Sequence, residues 1–185
     1  MNAATIAIVL VVGIVVGIAI TYFFQRNRSL RLRQRFGPEY SRAVAETGDR
    51  WRAESALEHR AKRVERLHIR TLDPAERRHF LEAWHEIQTR FVDDPNGSLV
   101  EADGPIASVM SAEGYPVSDF EQRTADISVD HPEVVEHYRG GHRIVLEDAQ
   151  GRADTEDLRQ GMIHYRTLFE DLLGQPEYTQ TGRAV

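Results

Sequence analysis

Between Ala3 and Phe24 the chain carries no charged side chain (AATIAIVLVVGIVVGIAITYFF), and that run constrains its fold more than any other feature. At about 1.5 Å per residue the run makes roughly 33 Å of helix, enough to cross a hydrocarbon core of about 30 Å. A secretory signal would open with positive charge, hold about 7 to 15 apolar residues and end at a small-x-small cleavage site. Here no charged side chain precedes Thr5, the run is too long, and it ends in Thr21-Tyr22-Phe23-Phe24. Aromatic rings of that kind favour the headgroup level. The sequence therefore predicts an uncleaved single-pass anchor over residues 1–25.

Five arginines follow at once, Arg26, Arg28, Arg31, Arg33 and Arg35. A bias of this kind keeps the arginine flank in the cytoplasm, so the rest of the chain is expected there, the alternative being an extracellular or periplasmic placement. The same five guanidinium groups are candidates for contact with anionic lipid headgroups. Inside the run, Gly13 and Gly17 form a GxxxG that Thr21 continues one turn later, a stripe of small residues that lets two helices approach as a homodimer.

Charge is distributed unevenly beyond the anchor. Arg26 to Arg70 holds 13 basic and 6 acidic side chains, whereas Thr71 to Val185 holds 10 and 23. This divides the chain into basic juxtamembrane and stalk helices over 26–72, an acidic bundle over 73–173, and a polar tail over 174–185 expected to be disordered. Phosphate repels carboxylate, so the distal part is a poor nucleic-acid ligand. There is no cysteine and Lys62 is the only lysine, which removes thiol chemistry and leaves one candidate for Schiff-base chemistry.

Helix-start signals recur along the soluble part. Gly37-Pro38-Glu39 breaks the juxtamembrane helix. Asp73-Pro74-Ala75-Glu76, Ser118-Asp119-Phe120-Glu121 and Asp130-His131-Pro132-Glu133 read as capping boxes, and Asp94 and Asp154 as further N-caps. Helices are predicted near 38–68, 74–91, 95–113, 119–129, 132–148 and 155–173. No segment alternates polar and apolar residues as a strand does. Phe80, Trp84, Ile87 and Phe91 form one apolar stripe at three- and four-residue spacing, and Leu158, Met162, Tyr165, Phe169 and Leu172 another, so these helices should bury against one another. The helix after Pro38, with its sparse apolar residues, reads as a solvated stalk that folds back on the bundle through Trp51. The fold class is all-α: one transmembrane helix, a charged helical stalk and a compact helical bundle.

The residues with chemical potential do not assemble into a motif. His79 and His85 are six apart and His137 and His142 five apart, whereas ligands one helical turn apart need three or four. Glu82-Ala83-Trp84-His85 is a single Glu-x-x-His where a di-iron bundle needs two. Asp94, Asn96, Gly97 and Asp103 partly match a calcium loop, but Val92 stands in the first ligand position. Ser128, Asp130 and His131 are triad residue types without triad geometry. No catalytic residue, metal or cofactor is expected. Gly140-Gly141 interrupts a helical pattern at roughly 1 kcal/mol per glycine relative to alanine, as a kink or a close helix contact would require.

Taken in order, Arg35-Phe36-Gly37-Pro38-Glu39-Tyr40, Phe91-Val92-Asp93-Asp94-Pro95, Asp119-Phe120-Glu121-Gln122-Arg123, Ser128-Val129-Asp130-His131-Pro132, Thr155-Glu156-Asp157-Leu158-Arg159-Gln160 and His164-Tyr165-Arg166 cover most of the chain. With this order the chain resembles an uncharacterised family of small bacterial proteins with an N-terminal hydrophobic segment, often labelled hypothetical or secreted. The resemblance implies no activity, cofactor or catalytic residue. The expectation is a membrane-tethered helical module that binds a protein partner. The alternatives are an enzyme or small-ligand carrier with a pocket lined by Tyr138, His142, His164 and Tyr165, and an envelope protein displayed outside the membrane.

Overall fold

The computed structural model describes residues 3–174 except Val117, and of residues 3–11 the backbone alone. The expected tail from residue 175 onward lies outside the described residues. Among the described residues helices are the only regular elements: α1 (Ala3–Thr47), α2 (Arg50–Val64), α3 (Pro74–Arg90), α4 (Pro95–Glu101), α5 (Asp103–Glu113), α6 (Phe120–Asp130), α7 (Val135–Asp148) and α8 (Thr155–Leu172). The chain divides into two compact units, Met1–His59 and Arg60–Val185.

In the first unit, α1 is broken at Gly37, whose φ of 45° and ψ of −124° belong to no helix. Only glycine enters that region without strain, and Pro38 restarts the helix as its fixed φ allows. A second reversal at Gly48, with φ 65°, overturns the expected continuous helix over 38–68. Asp49 then caps α2, accepting from the backbone N–H of Trp51 and Arg52. Three helical segments are thereby laid side by side. Leu32, Phe36, Tyr40, Ala43, Ala53 and Leu57 are all buried, so the stretch read as a solvated stalk holds an apolar core. Trp51 is 66% exposed, at odds with its expected role as a clasp.

Among the described residues no helix is long and apolar enough to cross a membrane. The expected anchor begins among residues whose side chains lie outside the described set. Side chains of that segment are described only over 12–24, about 20 Å of helix.

The second unit is built on α8, which packs against α4, α5 and α7. Its buried side chains, Leu158, Met162, Tyr165, Leu168, Phe169 and Leu172, keep helical spacing, and Trp84 of α3 stacks on Phe169 at 4.5 Å between ring centroids. Asp73 forms the predicted capping box with Glu76, and Asp94 and Asp154 cap α4 and α8. Two predicted boxes fail. Asp119, not Ser118, caps α6, while α7 starts at Val135 with no side-chain cap because Asp130 ends α6 and accepts from the Tyr115 hydroxyl at 2.8 Å. The helix expected over 95–113 is interrupted at Ala102.

The paired glycines sit where α7 meets α8. A Cβ on Gly141 would lie 2.6 Å from two ring carbons of Tyr165, and one on Gly140 would lie 3.0 Å from the His164 ring. Close approach of two helices, rather than a kink, accounts for them.

Candidate functional site

Three groups of residues were singled out in the sequence, and the structure treats them differently. In the first unit the five arginines diverge. Arg28 donates twice to Glu58, at 2.6 and 3.0 Å, and the Arg33 guanidinium lies 5.0 Å from the Tyr40 ring centroid. Arg35 also has a partner, and Arg26 and Arg31 are exposed. The reversal at Gly48 adds residues that sequence reasoning missed: Arg50 and Trp51 share a cleft of about 540 Å³ with Tyr22, Arg26, Arg28 and Glu54. Glu54 is 5% exposed and accepts from Ser29 Oγ at 2.5 Å, Tyr40 Oη at 2.8 Å and Arg50 Nε at 2.9 Å. Burial pushes its carboxyl pKa up, but these donors outweigh burial and hold it below the usual range.

Around Gly13, Gly17 and Thr21 the helix surface is bare. Nothing lies within 4 Å of a Cβ built on either glycine. The Thr21 hydroxyl turns inward, donating to the Gly17 carbonyl at 2.8 Å, which keeps the stripe narrow.

Tyr138, His142, His164 and Tyr165, on adjoining helices of the second unit, are only partly brought together. Tyr138 donates to Asp103 Oδ1 at 2.7 Å, and Arg123 donates to Asp103 Oδ2 at 2.7 Å. The Tyr165 ring is 6.2 Å from that of Tyr138, and its buried hydroxyl has no hydrogen-bond partner among the described residues. His142 instead stacks on Phe120, 3.7 Å between centroids, and His164 Nδ1 meets His137 Nδ1 at 2.9 Å. Burial lowers the pKa of both His142 and His164, with His137 adding to the effect at His164. This arrangement supplies packing and one part-buried ion pair, Arg123–Asp103. Asp103 and Arg123 are 20 residues apart, too far for any sequence spacing to have joined them. Among the described residues no group of three or more His, Asp or Glu could hold a metal.

A shallow groove of about 570 Å³ on the second unit is lined by Arg77, Leu81, Val134, Thr167, Asp171 and Leu173, among others. Asp171 Oδ2 is 2.5 Å from His131 Nδ1, and this pair with neighbouring Glu113 forms a cluster of groups whose charge depends on pH. Glu113 is 8% exposed, and one of its oxygens has no hydrogen-bond partner among the described residues. Burial raises its pKa to about 7, with His131 pulling the other way. For His131, burial lowers the pKa, but the bond to Asp171 outweighs it and the net shift is upward from 6.5.

Both groups therefore bind protons more tightly in the folded chain. Between the ordinary Glu value of 4.5 and about 7, folded Glu113 keeps a proton that the unfolded chain loses, so stability falls as pH rises through that window, and the cost is complete above it. The His131 contribution is full below 6.5 and is lost as pH rises through its folded value. Glu113→Gln is expected to raise stability at about pH 8 by an amount on the order of 1 kcal/mol and to change little at about pH 4. Denaturant unfolding of the full chain at the two pH values checks this; an equal effect at both would remove the carboxyl as the cause.

Compared with known proteins, the chain matches no family model, no curated protein and no solved structure.

Proposed function

We propose that this chain is a membrane-tethered helical interaction module, its N-terminal helix in the bilayer and its acidic helical unit presented to a protein partner on the cytoplasmic side. The observation that carries the reading is the exposure of α1 over residues 12–24. Ile14, Val15 and Val16 are successive and are 62, 58 and 49% exposed. At 100° per residue they cover more than half the helix circumference, and Phe23 and Phe24 extend the surface at 61 and 67%. A helix apolar on all sides calls for an apolar solvent. The helical backbone from Ala3 continues the segment to roughly 33 Å, a full hydrocarbon crossing.

Interaction is favoured over catalysis by where the histidines go. His142 is spent on Phe120 and His164 on His137, while the groove beside Leu81, itself 46% exposed, offers an apolar floor between charged rims. The five arginines favour the cytoplasmic side, and Gly13, Gly17 and Thr21 offer a face for a second copy in the bilayer.

The test is extraction. Full-length protein is expected to stay in membranes through an alkaline carbonate wash, and a chain lacking residues 1–24 to leave them; release of the full-length chain would end the tether reading. Protease added to intact cells should spare the second unit, and its digestion there would place that unit outside while leaving the tether intact.

A further inference from the structure

The cleft beside Tyr22 brings three guanidinium groups, from Arg26, Arg28 and Arg50, around one opening with two exposed aromatic rings, Tyr22 and Trp51, each 66% exposed. We propose that this cleft is a binding site for a phosphate-bearing headgroup, that of an anionic phospholipid. The proposal deepens the tether reading and rests on it for the source of the ligand.

Four features carry it. Arg28 and Arg50 are held by Glu58 and Glu54, so two of the cations are already oriented before a ligand arrives. A fixed guanidinium presents its remaining N–H groups in a fork that matches phosphate oxygens. The Arg50 bond to Glu54 uses Nε, so its two outer nitrogens are not tied to that carboxylate. The one carboxylate lining the cleft, Glu54, accepts from the Ser29 and Tyr40 hydroxyls as well as from Arg50 and is only 5% exposed, so it offers little repulsion at the opening. Finally, Tyr22 and Trp51 lie where the apolar run gives way to arginine, the level that amphipathic rings and lipid phosphates share. Aromatic walls beside cations suit a ligand that is anionic at one end and apolar at the other better than a free ion.

The test uses the full chain in phosphatidylcholine nanodiscs titrated with phosphatidylglycerol carrying brominated acyl chains, read by quenching of Trp51 emission. Trp84 is buried and contributes a constant background. Arg26→Gln with Arg50→Gln is expected to raise the phosphatidylglycerol fraction for half-quenching about tenfold. Arg31→Gln with Arg52→Gln removes the same charge from the same unit outside the cleft lining, and should shift it far less. Arg26→Gln alone, which leaves the Arg50–Glu54 bond in place, should give an intermediate shift in a fully folded protein.

Equal shifts in the two double variants, or equal quenching by brominated phosphatidylcholine, would overturn the site. Competition by millimolar glycerol 3-phosphate would keep the site and make a soluble phosphate ester its ligand; no competition would leave the lipid. A chain that fails to enter the discs would sink the tether reading instead. Glycerol 3-phosphate binding to that chain would then decide the cleft: binding weakened by Arg26→Gln with Arg50→Gln keeps it, and no binding removes it.

Discussion

Phe169→Ala is expected to cost the second unit about 3–5 kcal/mol, the range for deleting a buried aromatic side chain without refilling the space. Phe169 is fully buried and lies on α8, which packs against three other helices of this unit. Its ring also stacks on Trp84, with 16° between the planes, so the loss reaches α3 as well as the apolar centre. Chemical denaturation of the full chain, followed by tryptophan emission, measures it. A loss below about 1 kcal/mol would mean that the ring is not packed as described.

The second large effect comes from a substitution that local propensity alone would recommend. Alanine at Gly141 gains about 1 kcal/mol of helix propensity, yet its Cβ would stand 2.6 Å from the Tyr165 ring. That ring is fully buried and has little room to retreat, and overpacking of this kind costs about 1–3 kcal/mol, occasionally more. The overlap wins, since a fully buried ring places the cost at the upper end, and Gly141→Ala is expected to destabilise by about 1–2 kcal/mol net. Gly140→Ala is the control. Its contact, at 3.0 Å, is with the ring of partly exposed His164, which needs only a small shift at some cost to its bond with His137, so the propensity gain and the crowding should nearly cancel. Matching losses at both positions would refute the close-contact account of the glycine pair.

What the sequence made legible follows from the range of the forces involved. Caps act over three residues, so Asp73, Asp94 and Asp154 could be read directly, as could the break at Gly37-Pro38. The apolar stripe of α8 was equally plain, since helical period is a local property. The reversal at Gly48 was missed because Thr47-Gly48-Asp49 sits among charges; a glycine followed by the capping Asp49 was the available signal. The break at Ala102 leaves no such mark, as α5 starts without a side-chain cap. Asp130 fits a capping box by spacing alone, but the Tyr115 hydroxyl claims it across 15 residues. The cleft was illegible for the same reason: Trp51 joins Tyr22 only after two reversals of the chain. Nor does spacing disclose that Asp103 draws in Arg123 and Tyr138 from two other helices.

Those two reversals convert length into girth. An unbroken helix would carry residue 51 about 44 Å beyond residue 22; instead the two line one hollow. The segment after the apolar run is therefore a short, doubled-back collar rather than a boom, and α2 is fastened to the first helix side by side through Arg28–Glu58 and Ser29–Glu54.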